Sequence, residues 1–264
     1  MDLQLEGKRA LVSGSTAGIG YAIAEALAKE GAQVIVNGRT QKRVDAAIQR
    51  LAAAGLKAKV EGFAADLGTS QGVSQMVTKY PEVEILVNNL GIFEPKPFEE
   101  IPDEDWIRFF EVNVLSGVRL SRHYLPRMKA RNWGRIVFIS SESALQIPAE
   151  MIHYGMTKTA QLAISRGLAE TTAGTGVTVN TVLPGPTESE GVETFVEQMA
   201  ASRKVSREDI EKEFFRNVRP SSLLKRFARV DEVAPLVAFI CSPLSSATNG
   251  AALRADGGVV RAIV

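Results

Sequence analysis

Apolar residues in this chain fall into short continuous runs, each followed by a longer stretch where they recur every three or four positions. Runs of the first kind have the length of buried strands, and stretches of the second have the period of helices laid on a sheet. The first run, Lys8 to Ser13, passes through Gly14-Ser15-Thr16-Ala17-Gly18-Ile19-Gly20 into a helical stretch, Tyr21 to Lys29, that stops at Gly31. The pattern then predicts a strand at Ala32 to Val36, a helix at Gln41 to Ala54 and a strand at Lys57 to Phe63. A helix at Thr69 to Lys79 and a strand at Glu84 to Val87 follow. Two helical segments lie between Asp103 and Arg131, a strand at Arg135 to Ile139, a helix at Ala149 to Thr171 and a strand at Val177 to Leu183. A last helix, Asp231 to Cys241, and a seventh strand, Gly250 to Asp256, close the chain. Strands alternating with helices through short connections specify an α/β domain with a parallel sheet covered on both faces. Right-handed crossovers place the strand ends on one side, where ligands bind. No internal repeat is present, and one domain is expected.

One segment breaks the alternation. From Gly185 to Arg229 the chain is rich in Glu, Arg and Lys, and Val192, Phe195, Val196 and Met199 fall at i, i+3, i+4 and i+7. That spacing is an amphipathic helix, serving either as a substrate-binding lid over about 185–229 or as a helix simply packed on the domain.

Composition narrows the function classes. With 264 residues, 45% hydrophobic and 23% charged, the chain is an ordinary globular one, and its net charge of +1 gives no basis for nucleic-acid binding. No apolar run reaches membrane-spanning length, and the opening Met1 to Glu6 does not read as a signal peptide. The single cysteine, Cys241, lies among Val237, Phe239 and Ile240, which reads as a buried structural thiol in a reducing, cytoplasmic setting. Two histidines and one cysteine, widely separated, offer no metal-ligand cluster, so no metal is expected.

Two stretches carry chemistry. Strand, glycine-rich turn and helix start form a site for a pyrophosphate, because the helix end presents free N–H groups and glycines let phosphates approach the main chain. Its spacing here is Gly-x-x-x-Gly-x-Gly. After the second strand, Gly38 stands where dinucleotide folds place a ribose-binding acid, and Arg39 follows. A guanidinium there favours a 2′-phosphate, so NADP(H) is expected over NAD(H). Lys42 and Arg43 lie on the next helix, where solvated surface is their default reading. The second stretch runs from Ser141 to Tyr154 and Lys158. Tyr and Lys four apart share a helix face, and a neighbouring ammonium is expected to lower the phenol's pKa toward neutrality. Ser141 ends an apolar strand and would offer its hydroxyl beside that phenol.

These motifs, in this order, resemble the short-chain dehydrogenase/reductase family, in the short-subunit branch that includes 3-oxoacyl-ACP-reductase-like oxidoreductases. The resemblance covers nearly the whole chain. It rests on Ser13-Gly14 through Gly18-Ile19-Gly20, Asp66, Asn88-Asn89-Leu90-Gly91, Asn113, Ser141, Tyr154/Lys158, Pro184-Gly185 and the closing Asp256-Gly257-Gly258. It implies a single Rossmann domain, a doubly wound seven-stranded parallel sheet in the order 3-2-1-4-5-6-7. It further implies an NAD(P)-dependent oxidoreductase acting on a carbonyl or secondary alcohol, with Asn113, Ser141, Tyr154 and Lys158 as the catalytic set. In the reducing direction Tyr154 protonates the carbonyl oxygen and Ser141 holds it. By the same resemblance Asn113 would kink its helix and relay protons through water.

Gly14, Ser15, Thr16, Gly18, Ile19 and Gly20 would hold the dinucleotide, Asp66 and Leu67 the adenine, and Asn89, Leu90 and Gly91 the adenosine ribose. Pro184, Gly185 and Thr187 would flank the nicotinamide, and Tyr154 and Lys158 would also touch the cofactor. Ser13 replaces a threonine, Leu90 an alanine and Ala144 a glycine of the family pattern. Slim positions Gly155, Ala160 and Ala163 suit close helix packing, and a homotetramer or homodimer is expected. Phe93, Leu145, Ile147 and Met151 suggest an apolar pocket to which Glu94, Glu142 and Gln146 add polarity. His153 reads as pocket lining or packing. Two other readings stay open: an NAD-linked alcohol dehydrogenase, and a catalytically silent dinucleotide-sensing protein.

Overall fold

Residues buried on alternate sides of each strand tie this sheet to two layers of helices. In the computed structural model, which describes residues 1–55 and 58–263 apart from the side chain of Phe195, seven strands pair in parallel. The first half runs β1 (Arg9–Val12), α1 (Gly18–Lys29), β2 (Gln33–Gly38), α2 (Gln41–Ala53), β3 (Val60–Ala64), α3 (Ser70–Lys79) and β4 (Ile85–Asn88). The second half runs α4 (Asp103–Phe110), α5 (Ser116–Ala130), β5 (Gly134–Ile139), α6 (Ile152–Glu170) and β6 (Val177–Pro184). After these come β7 (Thr187–Glu188), α7 (Glu190–Arg203), α8 (Arg207–Glu213), β8 (Ala228–Arg229), α9 (Val230–Cys241) and β9 (Ala252–Ala255). The expected strand start at Lys57 and the apolar-face side chain of Phe195 lie outside the described residues.

Sheet order is β3-β2-β1-β4-β5-β6-β9. The expected seventh strand is β9, because β7 and β8 pair only with each other in a two-stranded ribbon within the 185–229 segment. Val12, Val36, Val87, Val137 and Ile139 face one way, onto Ile23 and Leu27 of α1 and Val233 and Val237 of α9. Leu11, Ile35, Leu86, Ile136 and Phe138 face the other way, onto Met76 of α3 and Leu120, Tyr124 and Met128 of α5. Each fully buried side chain of this kind contributes about 1.5–3 kcal/mol. The sheet edge that carries the site is therefore held from both sides. Among the described residues, no helix is long and apolar enough to cross a membrane.

Three details depart from the periodic reading. Helix α1 begins at Gly18 rather than Tyr21, so the last glycines of the turn already belong to its first turn. The segment 103–130 is α4, a π-helical turn at Glu111–Leu115, then α5; Asn113 sits in that turn. Gly155 faces its own chain, since a Cβ there would meet Ile147 Cγ2 at 2.8 Å.

Candidate active site

The turn after β1 is a cradle that side chains would fill. Gly14 and Gly18 take φ of +62° and +56°, a region that favours glycine. A Cβ on Gly20 would stand 2.4 Å from both the Gly14 carbonyl oxygen and Asn89 Nδ2. Ala17 precedes α1 without a side-chain cap, and the first turn holds no acid, so its N–H groups are available to an anion. These residues fit the pyrophosphate of a dinucleotide. Ser13, Asn37 and Asn89 set the turn's shape. Ser13 Oγ accepts the N–H groups of Asn89 and Leu90, each at 3.0 Å. Asn89 Nδ2 donates to the carbonyls of Ser13 and Gly14, both at 3.0 Å. Asn37 Oδ1 accepts Gly14 N–H at 3.1 Å while its Nδ2 donates to the Phe63 and Ala65 carbonyls. Sequence reasoning missed Asn37; an amide ending a buried strand was its only signal.

At the end of β2, Gly38 lies so close to Thr16 that a Cβ would meet Thr16 Cγ2 at 2.5 Å. A side chain there would have to displace Thr16, and Arg39 beside it is exposed. Arg43 is paired with Glu190 at the start of α7. Asp66 is exposed at the end of β3's turn, where its Oδ1 accepts Gly68 N–H at 3.0 Å. Leu67 is buried in the core, which leaves its backbone as the part able to touch a ligand. Leu90 packs against the same core.

The C-terminal ends of β4, β5 and β6 bring the catalytic candidates together. Ser141 caps a 3₁₀ turn at Glu142–Ala144: its Oγ accepts Ser143 N–H at 3.1 Å and donates to the Glu142 carboxylate. Tyr154 lies in the first turn of α6, with the Phe93 ring edge-on at 6.4 Å. One turn on, Lys158 Nζ donates to the Ile139 carbonyl at 3.0 Å and lies 5.6 Å from the Tyr154 ring centre. The Tyr154 phenol is held well above its ordinary pKa, by burial first and by the Glu142 carboxylate second; contact with Ser141 opposes them only in part. The expected lowering by Lys158 is not what this arrangement produces. Burial pushes Lys158 itself down to about 8, with the Glu142 carboxylate opposing that shift.

Asn113 is buried behind them. Its Oδ1 accepts Ile92 N–H at 2.7 Å, and its Nδ2 donates to the Ile92 carbonyl and to Thr157 Oγ1, each at 3.0 Å. This amide ties the π-turn to the chain after β4 and to α6. A Cβ on Gly91 would sit 3.3 Å from Lys158 Nζ and 3.5 Å from Asn113 Oδ1, so a side chain there would press on the lysine. His153 is fully buried against Phe109 and Trp106, with ring centres 4.1 and 5.9 Å away, and serves as packing.

A cavity of about 410 Å³ opens beside Ser141 and Tyr154. Phe93 and Met151 line it as expected, while Leu145 and Ile147 point out to solvent and Glu94 is held by Arg108. Helix α7 covers it with Val192, Val196 and Met199, so the amphipathic face of the 185–229 segment is turned onto the cavity. Pro184, Gly185 and Thr187 form the rim nearest the strand ends, where Thr187 Oγ1 donates to the Gly185 carbonyl at 2.9 Å. The unexpected member is Arg219. It donates from Nε to Glu142 and from Nη1 to Glu150, both at 3.0 Å, and only 7% of it is exposed. One arginine in a charge-rich segment carries no signal of such a partner 77 residues away.

Comparison with known proteins follows the same lines. The family profile described as short chain dehydrogenase matches residues 8–200. Oxidoreductase YvaG of Bacillus subtilis (strain 168), itself uncharacterised, is 52% identical over 263 residues and 100% of both chains. D-beta-hydroxybutyrate dehydrogenase of Cupriavidus necator is 35% identical over 260 residues, 97% of this chain and 99% of its own. The crystal structure of L-sorbose reductase from Gluconobacter frateurii, complexed with NADPH and L-sorbose, superposes with a TM-score of 0.93 at 30% identity, over 100% of both chains.

Proposed function

Since the chain belongs to the short-chain dehydrogenase/reductase family, we propose that it is an NADP(H)-dependent oxidoreductase interconverting a carbonyl and a secondary alcohol, with Tyr154 as general acid and base. The observation that carries this reading is that Ser141 and Tyr154 meet at the cavity's end, with Lys158 one helical turn behind Tyr154. When bound, the nicotinamide supplies or accepts the hydride. Gly14, Ser15, Thr16, Gly18, Ile19, Gly20, Asp66, Leu67 and Asn89 to Gly91 would hold the dinucleotide, and Arg39 would meet the 2′-phosphate. Relatives whose names carry a hydroxy acid and a keto sugar support a carbonyl or alcohol substrate in general.

In the reducing direction the Tyr154 phenol gives its proton to the carbonyl oxygen. The burial that raises its pKa keeps that proton in place until a stronger acceptor forms. Ser141 orients the same oxygen, giving up its bond to Glu142 as the substrate arrives. Lys158 neutralises the phenolate left behind and reaches the nicotinamide ribose. Asn113 steadies the turn through which protons return from solvent. Helices α7 and α8 act as the lid that excludes water. Exposed apolar side chains at Ile107 and Phe98 favour a homodimer or homotetramer, and the buried lone thiol of Cys241 favours the cytoplasm.

The test is NADPH oxidation over a panel of ketones and aldehydes. Tyr154→Phe is expected to lower kcat by about 10²–10⁴ while NADPH still binds, as read by quenching or enhancement of its fluorescence. A variant that turns over at the wild-type rate removes Tyr154 from the reaction. A protein that binds NADPH and reduces nothing would instead be a sensor.

A further inference from the structure

Charged side chains line the cavity at a few places only. Among the described residues, the acidic and basic side chains lining it are Glu142, Glu150, Glu213, Arg203 and Arg219: three carboxylates against two guanidiniums. Both guanidiniums are engaged. Arg203 Nη1 holds the two Glu213 oxygens at 2.9 and 3.0 Å, and Arg219 divides itself between Glu142 and Glu150. Lys158 lies behind the lining with its ammonium on the Ile139 carbonyl.

At the reacting end Glu142 and Glu150 stand against Arg219 and the deeper Lys158, and the charge in direct contact with Ser141 is the Glu142 carboxylate. Glu142 is 5% exposed, and its carboxylate takes the hydroxyl of Ser141, the group meant to meet the substrate oxygen. Solvent screens a buried charge far less than a surface one. Arg219 and Ser141 occupy two of the roughly four acceptor positions of that carboxylate, so it still offers lone pairs. Much of the remaining lining is apolar: Phe93, Met151, Val192, Val196, Met199 and Phe214.

We propose that the substrate is an uncharged, mainly apolar ketone or its secondary alcohol, and that Glu142 is the specificity residue that turns carboxylates away. This narrows the oxidoreductase reading above and rests on it. A carboxylate placed within reach of Ser141 meets Glu142 with both lining guanidiniums already committed. The ester of the same acid has nearly the same shape and meets no such opposition. Like-charge juxtaposition in a desolvated site is a strong rejecting device.

Initial rates with acetoacetate and longer 3-oxo acids, set against their methyl esters, decide the matter. Wild type is expected to reduce at least one ester with kcat/KM about 50-fold or more above that of its acid. In Glu142→Gln the ester-to-acid ratio is expected to fall about tenfold or more, whatever the absolute rates. Glu150→Gln is expected to lower it less, in the same direction, and serves if Glu142→Gln fails to fold. Wild-type enzyme that uses acids as well as esters overturns the inference. So does a ratio unchanged in the variants, or an ester series with no turnover at all. The oxidoreductase reading fails on a different result: Tyr154→Phe reducing the accepted compounds at the wild-type rate.

Discussion

Tyr154 and Lys158 are each shifted by burial toward the neutral form, in opposite directions on the pH scale. The phenol stays protonated and the ammonium, brought to about 8, still carries most of its charge near neutrality. That pairing favours giving a proton to a carbonyl oxygen over taking one from an alcohol near pH 7. Arg39 stands apart from this network, exposed beside Gly38. Hydrogen bonds to a charged group are worth about 1.5–3 kcal/mol, so Arg39→Ala is expected to weaken NADPH about 10- to 100-fold. NADH should bind nearly unchanged, as titration calorimetry with each dinucleotide would read. Equal losses for both would take Arg39 away from the 2′-phosphate. The spacing of Tyr154 and Lys158 was legible in the chain because one helical turn fixes it. Their ionisation was not, because it depends on Glu142 and on burial supplied by residues far away.

Helix α1 and its turn show how a glycine can be indispensable in one element and idle in another. At position 20 a methyl group would collide with the Gly14 carbonyl and Asn89 Nδ2, both fixed by other bonds. Gly20→Ala is expected to cost about 1–3 kcal/mol, read by urea denaturation, together with loss of dinucleotide binding. At Gly167, within α6, a Cβ meets nothing within 4 Å. Gly167→Ala is therefore expected to stabilise by about 0.5–1 kcal/mol. If both changes behaved alike, close approach would not be what position 20 requires. Element order followed from run length and period, yet two helix boundaries did not. Glycine propensity argues against starting α1 at Gly18, yet the helix opens there from a φ of +56° that glycine favours. The π-turn at Glu111–Leu115 arises because Asn113 must reach Ile92 and Thr157, contacts that helical period does not announce.

Across the whole molecule, the bridge from Arg219 to Glu142 and Glu150 links the 185–229 segment to the sheet edge and to the start of α6. Removing one partner of a buried pair leaves the other charge uncompensated, at a cost of about 3–5 kcal/mol. Arg219→Met is expected to show that loss in urea denaturation, and adding Glu142→Gln should recover much of it. A single variant as stable as wild type would mean that the segment is held by its apolar contacts alone. The chain by itself determined the alternation of strands and helices, the glycine turn, the spacing of Tyr154 and Lys158 and the amphipathic face of α7. Each of these depends on residues within a few positions of one another, so local geometry suffices. Only the tertiary structure decided that Glu142 takes the Ser141 hydroxyl, that Arg219 answers it from 77 residues away, and that Asn113 clamps Ile92. Such meetings depend on where the folded chain buries each polar group and what it leaves nearby to pair with it, and a linear pattern holds no record of that.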